Sequence, residues 1–302
     1  MSFAALKDVI VHLLEPWILM SISFRHIPQT ISSIVSSGDL WKLFSYNAFT
    51  EALFGHFWVT VGPEVKELGE EYVIPLLEGR LADGKIHDRV VDSAVHGTIV
   101  EVGAGTGMWA DVFARIAAGA DADSSTDGTA RKRKPTGPSS ITKIYGVEPN
   151  AQCAELLKER VREVGLTDLY EVVPVGIESL SDPNAWSGQI QPGSVDCIVT
   201  VMCLCSIPEP EKNIQHLYKL LKPGGHWYVY EHVKTTRGGP LLALYQRLVS
   251  IPWRLFLGSC RICRDTKTSL VTAGPWRKVD LTHLPSEPPY EVLPHVLGTL
   301  TK

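Results

Sequence analysis

The stretch that decides the fold is TIVEVGAGTG, which runs from Thr98 to Gly107. Strand-forming residues lead into Glu101, and glycine then recurs at every second position from Gly103. Glycine has no Cβ, so it permits a tight turn and lets a ligand approach the backbone. The pattern predicts a strand that turns into a helix, with a ligand bound at the turn.

Apolar segments of strand length alternate with amphipathic segments of helix length after this turn. A strand over 143–150 ends near Glu148, and a helix is predicted over 151–165. A continuous apolar strand follows at 194–207, and a fifth strand at 226–233. This alternation predicts an α/β fold with a doubly wound, mostly parallel sheet that binds ligands at the carboxyl ends of its strands.

Composition shifts divide the chain further. Residues 1–60 are rich in Leu, Ile, Phe and Trp and predict an N-terminal helical extension. Residues 61–302 form the main domain, which begins with a helix over 62–84 that has a proline in its first turn. Small and polar residues at 120–140 predict a disordered surface insertion.

The C-terminal part, residues 238–302, is expected to form a lid or substrate region. Within it, the apolar stretch 241–258 contains only two charged residues, Arg247 and Arg254. Three interpretations stay open for this stretch: a lid over a lipophilic substrate, a membrane-facing surface and an ordinary packing helix.

A second apolar run, VIVHLLEPWILMSISF, occupies residues 9–24. Because it is broken by His12, Glu15 and Pro16, it is too short and too polar to predict a spanning helix. A helix in the membrane interface with Trp17 at headgroup depth and a helix packed on the core both fit. We expect no cleaved signal peptide and a cytoplasmic protein, with the surface of the endoplasmic reticulum or a lipid droplet as a candidate partner.

Charge and cysteine content narrow the partners. The net charge is −4 and the pI is about 6.2, so no nucleic-acid-binding surface is expected. Six cysteines in a chain of this size indicate buried thiols in a reducing compartment. The pairs Cys203/Cys205 and Cys260/Cys263 lack the four-ligand knuckles of structural zinc, so no metal is expected. A disulfide or redox-active pair at Cys260 and Cys263 stays open.

Three features together resemble class I S-adenosylmethionine-dependent methyltransferases over residues 95–235: EVGAGTG, an acid that ends the second strand, and LLKPGGHWYVYEH. The resemblance implies that the glycine turn receives the methionine part of the cofactor. It also implies that Glu148 accepts hydrogen bonds from both ribose hydroxyls, as a carboxylate can. The implied cofactor-binding residues are Glu101, Gly103, Ala104, Gly105, Gly107, Glu148, Pro149, Asn150, Gly176, Ile177, Glu178, Val201, Met202 and Cys203.

Further stretches narrow the resemblance. The segments at 199–233, GSCRICRDT at 258–266 and VLPHVLG at 292–298 are similar to the membrane-associated alkyl thiol methyltransferases of animals and their fungal and microbial relatives. This implies methyl transfer to a small lipophilic acceptor, with thiol sulfur favoured, and an N-terminal apolar anchor. An O- or N-methyltransferase of a secondary metabolite or quinone, and an inactive scaffold of this fold, stay open.

His232 is the candidate catalytic base, because it follows the fifth strand and histidine titrates near neutral pH. Glu231 alternates to the other face and would orient or replace it. Both residues could instead be structural, and methyl transfer to sulfur can proceed without a protein base.

Two other enzyme classes lack their motifs. A dinucleotide-dependent oxidoreductase needs a third glycine at the G-x-G-x-x-G offset and a Tyr-Lys pair, and neither is in place. A nucleic-acid methyltransferase would carry an Asn-Pro-Pro-aromatic motif after the fourth strand, where MCLCSIPEP stands instead.

Overall fold

A computed structural model describes residues 3–119 and 141–302 of the protein. The insertion predicted at 120–140 lies outside these residues. The described chain begins with three helices, as expected for a helical extension. They are α1 (Phe3–Arg25), α2 (Ile27–Ser37) and α3 (Tyr46–Leu77), with a short 3₁₀ segment at Leu40–Leu43 between α2 and α3.

Helix α3 crosses the predicted boundary at residue 60. The prediction of a separate helix that begins at Pro63 is wrong, because Pro63 lies inside α3. The helix buries Phe57 in a cluster with the N-terminal helices, and farther along it buries Val73 and Leu76 in the core under the sheet. Packing at both ends of one helix overrides the local proline signal.

The centre of the molecule is a seven-stranded sheet in the order β5-β4-β3-β6-β7-β9-β8. Its strands are β3 (Gly97–Val102), β4 (Ile141–Val147), β5 (Tyr170–Val173), β6 (Val195–Val201), β7 (Leu221–His232), β8 (Lys278–His283) and β9 (His295–Thr301), and a small hairpin of β1 (Leu81–Ala82) and β2 (Lys85–Ile86) precedes them. The strands from β5 to β7 are parallel, and β9 is antiparallel to β7 and β8.

Helices cover both faces of this sheet. They are α4 (Ala110–Ala117), α5 (Ala151–Glu163), α6 (Pro210–Leu220), α7 (Gly239–Phe256) and α8 (Thr266–Val271). Central strand β3 is buried on both sides: Ile99 belongs to one core cluster and Val100 to the opposite one. A strand buried on both faces explains the continuous apolar run of the sequence. The predicted α/β, doubly wound and mostly parallel sheet is confirmed.

The C-terminal part of the chain completes the sheet. Strand β9 pairs with β7 over seven consecutive residues, from His226 opposite Thr301 to His232 opposite His295. It covers the edge that β7 would otherwise expose. Residues 278–302 therefore contain two sheet strands, and the lid expected over 238–302 does not extend to them.

Helices α1 and α7 lie side by side outside the sheet. The Trp17 indole donates to the Tyr245 hydroxyl at 2.8 Å, and the Ser23 hydroxyl donates to the Phe256 carbonyl at 2.6 Å. A third cluster of buried residues, which includes Met20, joins them to α3. Within the described chain, no helix combines the length and apolar character needed to cross a membrane.

Candidate active site

The glycine turn follows β3 in left-handed conformations, with φ angles of 66° at Gly103 and 57° at Gly105. A Cβ on Gly103 would lie 2.5 Å from the Cβ of Cys203, so only glycine fits there. The nearest atom to a Cβ on Gly105 would be the Trp58 indole nitrogen at 3.6 Å. The turn therefore combines close packing on the β6 side with an open backbone at Gly105.

Gly107 has a different role from the other two glycines. A Cβ there would meet Leu157 and Arg160 of α5 at 3.0 Å, and its φ is 83°. Gly107 is not among the residues that line the cavity described below. Its missing side chain makes room for α5. Gly103 and Gly105, which do line the cavity, are the glycines that a ligand can approach.

Glu148 comes directly after β4 and is 8% exposed. One carboxylate oxygen accepts the Gly105 N–H at 2.9 Å, and the other accepts the Asn150 N–H at 2.8 Å. Burial raises the pKa of Glu148, and these two N–H donors partly offset that effect. Each oxygen keeps lone-pair capacity, so the carboxylate is oriented to accept two further donors, such as the vicinal hydroxyls of a ribose.

Glu101, the acid inside the glycine motif, is 3% exposed and accepts a hydrogen bond from the Tyr170 hydroxyl. The tyrosine reaches it across Gly146, where a Cβ would collide with the phenol ring. Burial raises the pKa of Glu101 to about 7; the Tyr170 hydrogen bond opposes the shift, and Glu148 adds to it. The two acids therefore form one coupled, buried pair at the sheet edge.

A cavity of about 950 Å³ opens at the carboxyl ends of β3, β4 and β6. All the sequence-predicted cofactor residues except Gly107 line it. At its far end it is lined by Ser206, Ser259, Arg261 and Arg264. Its position is the one that ligands occupy in doubly wound sheets.

Helices α2 and α3 form the roof of the cavity. The sequence indicated N-terminal helices here but did not predict which of their residues line the cavity. The roof includes Ile34, Phe54, His56 and Trp58. The Phe54 and Trp58 rings stack with centroids 5.9 Å apart. The sequence carried only a weak signal for this roof: Gly55 lies in the α3 interior and faces the Asn150 amide, but a Cβ there would be in ordinary contact at 3.7 Å.

Loop residues after α7 support the far end of the cavity. The Arg264 guanidinium donates to the carbonyls of Leu204 and Ile207 at 2.6 and 2.8 Å. The Arg261 N–H donates to the Cys205 carbonyl at 3.1 Å. These contacts tie the GSCRICRDT segment to the loop that follows β6. None of the α7 residues lines the cavity, so among the three interpretations of 241–258 a lid over the cavity has no support from its lining, which this loop supplies.

Neither of the two candidate catalytic residues lines the cavity. The Glu231 carboxylate accepts the N–H groups of Cys203 and Leu204, both at 3.1 Å, and burial raises its pKa to about 8. His232 is 5% exposed and lies beside Cys205. Because β7 is paired on both sides, its last side chains enter the layers above and below the sheet. The geometry supports a positioning role for Glu231, and catalysis by His232 stays a prediction.

The fold and the site together define a class I S-adenosylmethionine-dependent methyltransferase. A methyltransferase domain profile matches residues 77–265, and the chain belongs to this family. The open backbone at Gly105 and the doubly held carboxylate of Glu148 fit the cofactor of this class.

Curated relatives are matched over part of their length. The thiol S-methyltransferase TMT1B of Rattus norvegicus is 32% identical over 117 residues, which are 38% of this chain and 46% of that protein. The thiol S-methyltransferase TMT1A of Homo sapiens is 29% identical over 115 residues, again 38% and 46% of the two chains. The chain thus spans about half the length of the curated relatives it matches.

A solved structure shares the fold over nearly the whole chain. It comes from Nostoc punctiforme PCC 73102 and is described as a candidate O-methyltransferase. The alignment has a TM-score of 0.53 and 14% identity, and covers 98% of this chain and 71% of the other. At this identity the similarity shows the fold alone.

Proposed function

We propose that the protein transfers the methyl group of S-adenosylmethionine to a small lipophilic acceptor, with thiol sulfur as the favoured nucleophile. The observation that carries the proposal is that one continuous cavity is lined both by Glu148 and by the apolar side chains of Ile34, Phe54 and Trp58 in its roof. A cavity of about 950 Å³ lies in the range of small-molecule sites.

The chain's own residues would bind and align the reactants. The cofactor supplies a sulfonium methyl group that is already activated toward nucleophiles. Glu148 and the open Gly105 backbone would orient it, and the stacked Phe54 and Trp58 rings would exclude water above it. Alignment of this kind supplies a large part of the rate, with effective molarities on the order of 10⁵ M in good cases.

Two observations favour sulfur. The matched curated relatives from rat and human are named thiol S-methyltransferases. In addition, a thiol with a pKa of about 8.5 needs only modest help to ionise. The cavity roof carries His56, whose pKa is lowered by burial and by nearby His26, and an imidazole is a side chain that can accept a proton near neutral pH.

The test is methyl transfer by the purified full chain with methyl-labelled S-adenosylmethionine and matched lipophilic thiols, phenols and amines. We expect labelled thioether as the main product. Transfer only to oxygen or nitrogen would overturn the thiol assignment while leaving the methyltransferase activity in place. Cofactor binding without transfer to any acceptor class would favour the scaffold alternative.

We also propose that the outer faces of α1 and α7 rest on a membrane surface. Exposed apolar residues recur along α7 at spacings of three and four: Leu241, Leu244, Leu248, Ile251 and Leu255. Helix α1 exposes a similar series beside it: Phe3, Leu6, Ile10, Leu14, Trp17 and Ile18. A helix pair with a continuous exposed apolar face is typical of binding at the membrane interface.

The rim of the cavity adjoins this apolar face. Asp39 and Lys42 line the cavity, and Trp41 and Phe44 beside them are exposed. The Tyr46 hydroxyl donates to the Arg254 carbonyl at 2.8 Å, which joins this segment to α7. A lipophilic acceptor dissolved in a bilayer could therefore enter the cavity from the membrane side.

Vesicle co-sedimentation of the full chain tests this surface. We expect the double variant Leu244→Glu, Leu248→Glu to lose most of its binding to phosphatidylcholine vesicles. Leu68→Glu is the matched control, because Leu68 is 75% exposed on α3, outside the α1–α7 face. Equal binding of the double variant and the control would overturn the proposal.

A further inference from the structure

Three potential metal ligands converge behind the far wall of the cavity. They are Cys205 in the loop after β6, His232 at the end of β7, and Cys260 in the loop after α7. One ligand atom from each lies within 4.8 Å of the other two, and the Sγ atoms of Cys205 and Cys260 are 3.6 Å apart. All three side chains are buried.

His232 supplies an independent observation that points to a ligand. Its Nε2 atom is buried and has no hydrogen-bond partner among the described residues. A buried polar atom left unpaired destabilises the folded chain. Together, this imidazole nitrogen and the two neighbouring thiols form a set of ligands that is typical of metal sites.

The donor set discriminates among ions. Two sulfurs and one imidazole are soft ligands that prefer Cu⁺ or Zn²⁺ over Mg²⁺ or Ca²⁺. Structural Zn²⁺ takes four protein ligands, and within residues 3–119 and 141–302 no fourth His, Cys, Asp or Glu joins this cluster. Cu⁺ accepts three ligands. We propose that Cys205, His232 and Cys260 bind one monovalent copper ion.

The cluster has charged neighbours of both signs. Arg264 interacts electrostatically with both cysteines and Arg261 with Cys260, whereas the buried acid Glu231 interacts with Cys205. Two thiolates and one monovalent cation carry a net charge of −1, which the two guanidinium groups partly offset. Hydrogen bonds to the Leu204 and Ile207 carbonyls fix Arg264 in place.

The location gives the site a structural consequence. Ser206 and Ser259 line the cavity, while the adjacent Cys205 and Cys260 do not. A bound ion would therefore join the loop after β6 to the loop after α7 directly behind the cavity residues Ser206 and Ser259. Binding there does not depend on the proposed methyl transfer.

The test is a competition titration of the reduced full chain against the Cu⁺–bicinchoninate complex under argon, read by the loss of its absorbance. We expect one Cu⁺ per chain. Cys205→Ser and Cys260→Ser should each weaken binding about 100-fold or more, since even outer-shell changes cost 10–100-fold. His232→Gln should weaken binding in the same direction. X-ray absorption of the loaded protein should show two sulfurs and one nitrogen.

Cys263→Ser is the matched control, because Cys263 lies three residues from Cys260 and outside the cluster. Its affinity should stay within about twofold of the parent protein. Calorimetric cofactor binding by each variant checks that it is folded, and Cys260→Ala replaces Cys260→Ser if that variant fails. The proposal is overturned by no binding beyond the competitor, by equal weakening in Cys263→Ser, by stoichiometric Zn²⁺ bound more tightly than Cu⁺, or by a Cys205–Cys260 disulfide in the unreduced protein.

Discussion

The carboxyl ends of the central strands, called the sheet edge below, and the N-terminal and α7 helices differ in how completely the chain buries their side chains. At the sheet edge, Ile99 and Val100 are fully buried, and Glu148 is held by two backbone donors. In the helical part, Phe44 is 90% exposed and Leu241 is 81% exposed. The carboxyl ends of the strands are therefore packed within the chain, whereas the helices leave large apolar side chains exposed.

The largest effect should come from the sheet edge. We expect Glu148→Ala to weaken S-adenosylmethionine binding by at least about 100-fold, because two charge-assisted hydrogen bonds are worth roughly 1.5–3 kcal/mol each. Calorimetry measures this, with Glu155→Ala on the exposed face of α5 as the control. Unchanged affinity would contradict the ribose assignment, provided that the thermal melting curve shows a folded variant.

Substitution in the glycine turn should destabilise the same edge. Gly103→Ala forces a left-handed alanine, which costs about 1–2 kcal/mol, and places its Cβ 2.5 Å from Cys203, which adds about 1–3 kcal/mol. Gly165→Ala is the matched control, since its φ of 73° is similar but nothing lies within 4 Å of its Cβ. Urea unfolding should show a clearly larger loss for Gly103→Ala; equal losses would mean that the contact with Cys203 relaxes at little cost.

The buried acid Glu101 should make stability depend on pH. Its pKa is about 7 in the folded protein and 4.5 in the reference state, so between these values only the unfolded chain has released the proton. Stability therefore falls as the pH rises from about 4.5 to 7, by up to about 3 kcal/mol. Glu101→Gln keeps an acceptor for Tyr170 and should remove this loss.

Unfolding free energies at pH 5 and pH 8 measure the effect, with Glu171→Gln as the control, because Glu171 is a partly exposed acid on β5. A difference between wild type and Glu101→Gln that does not change with pH would show that Glu101 ionises normally in the folded chain.

The smallest effect should come from the roof, because its side chains line the cavity without a hydrogen bond to Glu148 or the glycine turn. We expect Trp58→Ala to lower kcat/KM for a soluble acceptor by about 10-fold, since it opens the site to water and loses an aromatic contact. Cofactor affinity should change less. The neighbouring Val59→Ala, on the exposed side of α3, is the control. Equal rates for the two variants would show that the roof does not contribute to catalysis.

The two regions also differed in how far they could be predicted. The strands, the glycine turn and the strand-end position of Glu148 each have a local pattern, so the sequence predicted them although Glu148 contacts Gly105, 43 positions away. Helix α3 was divided wrongly at Pro63, because contacts at both of its ends with separate clusters stabilise one continuous helix. The sequence left three interpretations open for 241–258 for a related reason, since α7 packs on α1, more than 200 residues away.

The cysteines show the limit most directly. Sequence spacing paired Cys203 with Cys205 and Cys260 with Cys263, yet the structure takes one cysteine from each pair and adds His232. Cys203 lines the cavity and Cys205 does not, because both lie in the turn after β6, where the two-residue repeat of a strand no longer applies. Which cysteine of each pair joins the cluster depends on the conformations of two loops, and the local sequence does not predict those conformations.

By itself, the sequence determined the α/β class and placed the glycine turn and Glu148 at the carboxyl ends of neighbouring strands. These follow from residue periodicity, from the conformational freedom of glycine and from the position of an acid at a strand end. Only the tertiary structure decided the cavity roof, the burial of Glu231 and His232 behind its wall, and the cluster around Cys205. Each of these depends on long-range packing, which brings together residues that are at least 27 positions apart.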